Sequence, residues 1–323
     1  MKNILKSAIS VVIKMVMLMV IAVMLSQCNS KELHEMKLQY MESMNIALAD
    51  NLKDAQDGYI RVLRTLANIM ADYENVPAWI RRDHYEYMLQ SVLNSESGIA
   101  SFYTVWKPNA LDGVDSVYRA RLGSSLSGQY AVSFKKDGGQ ILKQTVADAD
   151  IATVMEYING PNAKKDLVEE PVLGQLNGRD RYLLRMSVPI VNRRTNETVG
   201  IIGCLLDIDA IQIFLEYVLR DNYEIAAMAV YSDNGFILAS FVPERVGKYM
   251  RDVDVIWGEH IKDAEQAVFE GRVFYRRSYS PVLMSNVQIF MTPINIGNSL
   301  TTWSVMTAAT EDYFKRRSSL NFR

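Results

Sequence analysis

The sequence predicts an α+β protein in which one long N-terminal stalk helix carries two antiparallel-sheet subdomains. Residues 31–73 have a single unbroken helical pattern. Residues 98–206 and 224–309 each contain strand patterns, a helical insertion and a final apolar strand. The repeat is one of element order and not of residue identity. A chain of 323 residues is long enough for two modest domains and a membrane segment.

The composition is that of a globular protein with a sizeable core. Hydrophobic residues make up 49% of the chain, and the formal net charge is -2, which argues against a nucleic-acid partner. The two cysteines, Cys28 and Cys204, do not define a disulfide framework. Cys204 lies in the apolar run "VGIIGCLL", so we expect it to be a small buried side chain without chemistry.

Residues 1–30 are predicted to be an N-terminal membrane anchor or signal segment. A basic start precedes an apolar stretch in which Lys14 is the only charge. The apolar run 15–25 suits a signal-peptide core, because a membrane span needs about 20 residues. If Lys14 extends toward the cytoplasmic face, residues 8–25 form an uncleaved anchor. Both alternatives place the rest of the chain outside the cytoplasm, at the cell membrane, and lipid attachment at Cys28 is a third.

Residues 31–97 are predicted to contain the stalk helix and a second, shorter helix. Apolar residues recur at steps of three or four from Leu33 to Tyr73, as on one face of a helix. Pro77 marks the end of the helix or a break, and residues 78–94 are again helical in pattern. The apolar stripe can bury against the subdomains, against a second copy of the chain, or both, and a homodimer through this helix is the expected oligomer.

The first sheet subdomain is predicted at residues 98–223. A helix is expected at 148–159 and another at 210–222, and residues 160–180 are expected to be an irregular loop. Strands are expected at 98–106, 117–122, 128–136, 181–192 and 199–209.

The second sheet subdomain is predicted at residues 224–312, followed by a charged tail at 313–323. It begins with a hairpin, "VYSDNGFILAS", around Asn234 and Gly235, for which the sequence predicts a type I′ turn. A helix is expected at 254–271. Strands are expected at 272–281, 287–296 and 301–310.

Several fragments, in this order, resemble a double-Cache (dCache) sensor domain: "YTVWKPNALDGVD", "EEP", "MSVPIVN", "VGIIG", "DAIQ", "VYSDNGFILAS" and "VGKYM". The family is the extracytoplasmic input module of bacterial methyl-accepting chemotaxis proteins, sensor histidine kinases and cyclases. The resemblance covers about residues 30–312 and implies two PAS-like subdomains on a stalk helix. The membrane-distal one, 98–223, usually holds the ligand, and 224–312 is membrane-proximal.

The resemblance has two departures in the region of the ligand. Amino-acid-binding members carry an Arg-x-Trp-Tyr cluster after the "DG.D" loop, where this chain has "GQYAVSFKKDGG" with Tyr130 and Phe134. They also carry an Asp after the "GIIG"-type strand, and that position is Leu205 here, with Asp207 two residues on. Because no acidic group faces an α-ammonium at that position, an unmodified amino acid is not the expected ligand.

A ligand cavity in such a sheet domain is lined by aromatics and a few fixed polar groups. Arg185 and Ser187 point to one face of a strand, and an inward Arg suits a carboxylate or another anionic group. For each aromatic the alternative is core packing. Tyr130 and Arg185 are the favoured ligand contacts. The predicted ligand-binding residues are Tyr103, Tyr118, Tyr130, Ser133, Tyr157, Arg185, Ser187 and Asp207.

The residues do not predict an enzyme, and no cofactor or metal is expected. His34, His84 and His260 are far apart in sequence and lack partners at metal-ligand spacing. No nucleophile elbow or Walker-type phosphate loop occurs. Asp112 and Asp115, in "LDGVD", are expected to shape a loop and not to form an acid–base pair.

The sequence therefore predicts the extracytoplasmic ligand-sensing domain of a bacterial transmembrane receptor, for chemotaxis or signal transduction. The small-molecule ligand is expected in the distal subdomain. The tail at 313–323 is too charged to span a membrane, so a sensor that lacks its cytoplasmic output module is expected. The alternative is an anchored dCache lipoprotein that binds a ligand or a partner and has no signalling output of its own.

Overall fold

The described part of the chain contains seven α-helices. In the computed structural model the backbone is described for residues 2–253 and 255–315, and side chains for residues 31–253 and 256–315. The predicted anchor at 1–30 thus lies outside the described side chains. Within residues 31–253 and 256–315, no helical segment is both long and apolar enough to cross a membrane. The helices are α1 (Lys2–Met70), α2 (Arg81–Ser95), α3 (Asp148–Asn159), α4 (Asp209–Asp221), α5 (Met250–Val253), α6 (Ile261–Phe269) and α7 (Glu311–Lys315).

The first sheet is antiparallel throughout and has seven strands. Its order is β3-β2-β1-β7-β6-β4, and β5 also pairs with β6. Both hydrophobic faces are covered. One face packs Phe102, Phe134 and Cys204 against the α1 and α2 side, whereas the other packs Val105 and Ile201 under α3. Cys204 is fully buried, as predicted. The strands are β1 (Ile99–Trp106), β2 (Ala131–Asp137), β3 (Gln140–Thr145), β4 (Leu167–Val168), β5 (Val172–Leu176), β6 (Arg179–Val191) and β7 (Thr198–Asp207).

The predicted strand at 117–122 is wrong, because this segment belongs to a loop that wraps a buried arginine. Arg82 on α2 donates hydrogen bonds to Asp112 (2.6 Å) and Asp115 (2.7 Å) and to the carbonyl of Gly128 (3.1 Å). A short 3₁₀-helix (Asp115–Tyr118) and turns replace the strand. The buried guanidinium thus fixes a loop that the alternating sequence pattern does not reveal.

The predicted irregular loop at 160–180 is wrong in part, because β4 and β5 lie within it. Both strands pair with β6, which is 13 residues long and therefore has backbone groups for two short partners. β4 has two residues and β5 has five. Segments this short carry too little periodicity to be recognised.

The second sheet has five antiparallel strands in the order β10-β11-β12-β8-β9. Trp257 and Val268 cover one face, together with the rest of the α5–α6 region. Phe290 and Trp303 belong to the core that the other face shares with α1. The predicted boundary at 223/224 falls between α4 and this sheet. The strands are β8 (Ala227–Tyr231), β9 (Ile237–Ser240), β10 (Phe274–Ser280), β11 (Ser285–Asn295) and β12 (Thr302–Thr310).

The hairpin between β8 and β9 is present, but its turn is not type I′. The Gly235 amide donates to the Ser232 carbonyl (2.9 Å), which closes a turn of four residues. A type I′ turn needs positive φ at both central residues, and within this turn only Gly235 has one (+75°). The register shifts between Val230 and Tyr231, so the loop is a type I turn with a glycine bulge.

The stalk helix α1 packs against both sheets. Its buried side chains, such as Leu48, Leu52 and Leu63, recur at helical spacing and join the core shared with both sheets. Asn45 adds a polar contact by donating to the Val305 carbonyl of β12 (3.1 Å). Neither sheet covers Met36, whose side chain is 58% exposed. The long helix thus links the two sheets, and nothing in the described part of the chain covers part of its N-terminal stripe.

Candidate ligand-binding cavity

A cavity lies on the α3 side of the first sheet. It has a volume of about 230 Å³ and is partly open to solvent. This volume is below the roughly 300–1,000 Å³ of sites for drug-sized ligands, so the cavity suits a small ligand. Five strands and the first turns of α3 supply its walls. The lining residues are Ser101, Tyr103, Ser133, Lys135, Gln144, Thr145, Val146, Ala147, Asp150, Val154, Arg185 and Leu205.

The strand register aligns the lining residues in two rows. Ser101 on β1 lies opposite Leu205 on β7, which in turn lies opposite Arg185 on β6. In the next row, Tyr103 lies opposite Ser133 on one side. Since side chains alternate between the faces of a strand, both rows project to the α3 side.

Tyr103 forms the centre of the cavity floor. Its hydroxyl lies 2.6 Å from the Ser187 hydroxyl, and the Arg185 guanidinium lies 5.7 Å from its ring centroid. Burial raises the pKa of the Tyr103 phenol far above its ordinary value, and the Glu169 carboxylate raises it further. Tyr103 therefore stays neutral and serves as a hydrogen-bonding platform. Ser187 lies behind it and does not line the cavity itself.

Arg185 is held between two carboxylates. Its Nη1 lies 3.1 Å from Asp150 on α3, and its Nε lies 3.5 Å from Glu169 just after β4. Burial raises the pKa of Glu169, and Arg185 opposes that shift. The Arg185 charge is thus already balanced by groups of the protein, which the sequence did not reveal.

Tyr118 and Tyr130 lie on the opposite side of the first sheet from the cavity. The Arg82 guanidinium lies 3.8 Å from the ring centroid of Tyr118 and 5.2 Å from that of Tyr130. Tyr130 is fully buried in the core shared with α1. Tyr130 and Ser133 are three positions apart in the sequence, an odd offset, so the two cannot face one cavity along an extended strand.

Tyr157 and Asp207 are also outside the cavity. Tyr157 packs into the core under α3, and its hydroxyl donates to the carbonyl of Lys165. Asp207, at the end of β7, accepts from the Asp209 amide (3.0 Å) and lies 3.7 Å from Arg181. It borders a separate, mostly apolar space between α1 and α4.

Two charged lining residues, Lys135 and Asp150, are not among the predicted ligand-binding residues. Lys135 is two residues after Ser133 on β2, so both side chains lie on one face of the strand, and this spacing could have indicated Lys135. Its Nζ donates to the Gln175 carbonyl (2.6 Å). Asp150 lies in the first turn of α3, and no local pattern marks it. Among the described residues, no group of His, Cys, Asp and Glu has the arrangement of a metal site.

No protein-family profile matches the chain, and no curated protein matches its sequence significantly. Solved structures do match. The chain is similar to the extracellular domain of a putative histidine kinase, mmHK1S-Z2 (TM-score 0.71, 20% identity, 86% of this chain and 98% of that chain covered). It is also similar to the periplasmic sensory domain of the Campylobacter jejuni chemoreceptor Tlp1 (0.65, 14%, 87% and 97%).

A third similar structure is the ligand-binding domain of the Pseudomonas aeruginosa PAO1 amino-acid chemoreceptor PctC in complex with GABA (TM-score 0.55, 16% identity, 84% of this chain and 98% of that chain covered). These three neighbours are an extracellular domain, a periplasmic sensory domain and a ligand-binding domain, respectively. The predicted resemblance is confirmed: the chain has the α+β fold of the Cache sensor domains of histidine kinases and chemoreceptors.

Proposed function

We propose that this chain is an extracytoplasmic sensor domain that binds a small molecule in the cavity of the first sheet. The observation that carries the proposal is the convergence of Tyr103, Ser133, Lys135 and Arg185 on one small cavity that is partly open to solvent. The fold neighbours that bind ligands support a binding role and not a catalytic one. Residues 1–30 would attach the domain to the membrane.

The proposed ligand has an anionic or strongly accepting group and no α-ammonium group. Arg185 and Lys135 supply the positive charge. We expect the ligand to displace the Asp150 carboxylate from Arg185. The Asp150 side chain is 41% exposed and lies in the first turn of α3, where a carboxylate remains favourable after it turns to water. Leu205, in contrast, presents an apolar surface where an ammonium group would need an acid.

The stalk supports a receptor-like arrangement of two copies. Met36 and Tyr40 are one helical turn apart on α1, and both are exposed. They belong to the predicted apolar stripe, which neither sheet covers at this point. A second stalk is the proposed cover, and two packed stalks would carry a small shift of α1 across the membrane.

The test is a thermal-shift screen of the full chain in detergent against organic acids, amino acids, amines and purines. A ligand at about 100 times its Kd adds about 2.7 kcal/mol of stability. We expect hits among the acids, lost in Arg185→Ala and retained in Arg179→Ala, a change to an exposed arginine on the same strand. Equal stabilisation of Arg185→Ala by every hit would contradict binding in this cavity.

A further inference from the structure

A short stretch of chain contacts the cavity residue Arg185 at one end and the second sheet at the other. We define residues 165–170, which contain β4, as the connecting segment. It lies beside β6, where Leu167 pairs with Ser187 and Val168 pairs with Met186. It is therefore fixed directly to the strand that carries the cavity arginine.

At the cavity end, the connecting segment holds Arg185 in two ways. The Glu169 amide donates to the Arg185 carbonyl (3.0 Å). The Glu169 carboxylate lies 3.5 Å from the Arg185 guanidinium. Any ligand that recruits the guanidinium therefore competes with Glu169 as well as with Asp150.

At its other end, the connecting segment holds the turn between β11 and β12 of the second sheet, residues 296–301. The Asn298 amide donates to the Asp166 carboxylate (2.6 Å), and the Asp166 amide donates back to the Asn298 carbonyl (3.3 Å). The Thr301 hydroxyl donates to the Val168 carbonyl (3.0 Å). The Lys165 ammonium also donates to the Asn298 side-chain oxygen (3.1 Å), so four hydrogen bonds join the segment to the turn.

The stalk helix joins the same contact. Arg64 of α1 lies 2.5 Å from the Asp166 carboxylate, which is almost fully buried. The Gly297 amide donates to Asp57 of α1 (2.7 Å). Gly297 has a φ of +55°, and a Cβ there would lie 2.5 Å from the Asp166 carboxylate. Only glycine lets the turn approach this closely.

We infer that the connecting segment transmits ligand binding in the cavity to the second sheet and the stalk. The inference rests on the proposed function of the cavity. A ligand group that takes the Arg185 guanidinium frees Glu169, and the segment loses one of its two attachments at that end. Because the buried Asp166 depends on both Arg64 and the turn for its hydrogen bonds, movement of the segment weakens the contact as a unit.

The experiment is hydrogen–deuterium exchange of the full chain in detergent, read at the amides of Gly297 and Asn298. Glu169→Gln keeps the shape of the side chain and removes its charge. We expect it, and Arg185→Ala, to speed exchange of these amides by about threefold or more. Arg179→Ala is the matched control and should leave their exchange unchanged. Asp166→Asn acts at the contact itself and should give the largest increase.

Two results would overturn the inference. In the first, Glu169→Gln and Arg185→Ala leave the turn unchanged whereas Asp166→Asn opens it. In the second, Asp166→Asn itself has no effect, so that Asp166 does not hold the turn. The measurement needs no ligand, so its failure is separate from failure of the proposed function. If a ligand binds in the cavity and exchange at the turn does not change, the inferred transmission is wrong although the proposed binding function stands.

Discussion

Gly203 of β7 and Tyr103 of β1 lie opposite each other, and the tyrosine ring occupies the space that any side chain at Gly203 would need. A Cβ built on Gly203 would lie 2.3 Å from Tyr103 Cζ. The second glycine of "VGIIG" is therefore required by the floor of the cavity. Its role is steric, since the ring must cross β7 to reach Ser187.

The first prediction is that Gly203→Ala lowers the free energy of unfolding by about 1–3 kcal/mol, because the added methyl group forces Tyr103 from its position. Urea denaturation is the measurement. Gly58→Ala in α1 is the matched control, since its new Cβ would meet only the end of Arg61 at 3.7 Å. We expect that variant to be more stable by about 0.5–1 kcal/mol. Equal effects of the two changes would rule out the steric role.

The second prediction concerns the buried arginine of α2. Arg82→Met should lower the free energy of unfolding by about 3–5 kcal/mol, because it leaves the buried carboxylates of Asp112 and Asp115 without a cation. Arg119→Met, in the same loop but exposed, is the control and should change stability by less than about 0.5 kcal/mol. A loss of under about 1 kcal/mol for Arg82→Met would mean that water replaces the guanidinium.

The fold was largely predictable because its elements are long. α1, β6 and β7 each extend over enough residues to show a period of 3.6 or 2. The β4 and β5 strands were missed because they are short and depend on β6 for their pairing. Two sheets were expected from the repeated element order, and two sheets are present.

The cavity was predictable only where one strand supplied the pattern. Arg185 and Ser187 were placed correctly on one face by their spacing, as Lys135 and Ser133 could have been. Tyr130 was chosen as an aromatic, although its odd spacing from Ser133 assigns it to the other face. The contacts of Arg185 with Asp150 and Glu169 join residues distant in sequence, so no local pattern indicates them.

The third prediction tests the second copy of the stalk. In a Cys28→Ser background, Met36→Cys on the uncovered part of α1 should give a disulfide-linked dimer under mild oxidation, because equivalent residues of two packed stalks approach each other. Non-reducing electrophoresis of the full chain is the measurement. Glu96→Cys, beyond the end of α2 and remote in sequence from the stalk stripe, is the control and should stay monomeric. A monomer for both variants would argue against pairing at Met36.

The fourth prediction follows from the environment of Glu169. Burial raises its pKa above the ordinary 4.5, so the folded chain binds this proton more tightly than the unfolded chain. Its contribution to stability is therefore greatest at low pH and falls as the pH rises from 4.5 to the raised pKa. The Glu169→Gln variant cannot ionise at this position, so its stability does not fall for this reason as the pH rises.

Thermal unfolding between about pH 4 and pH 7 measures the effect. The Tm of Glu169→Gln minus that of the unmodified chain should increase across the window and then level off. Glu197→Gln, at an exposed position, should give a constant difference. Parallel curves for Glu169→Gln and the unmodified chain would show that Glu169 titrates at its ordinary pKa in the folded protein.

The fifth prediction is a change of ligand class at Leu205, which lies in register with Arg185 across β6 and β7. Leu205→Asp places a carboxylate beside the arginine, so the cavity then offers partners for both ends of an α-amino acid. Thermal shifts with matched pairs, lactate against alanine and 2-hydroxyisocaproate against leucine, measure the preference. We expect the unmodified chain to favour the hydroxy acid wherever it binds one of the pair, and Leu205→Asp to favour the amino acid by about tenfold in Kd.

The control for this prediction is Leu205→Asn, which has the shape of the aspartate variant without its charge. We expect this variant to keep the preference for the hydroxy acid. If Asn switches the preference as well as Asp does, size and not charge at this position excludes the ammonium group.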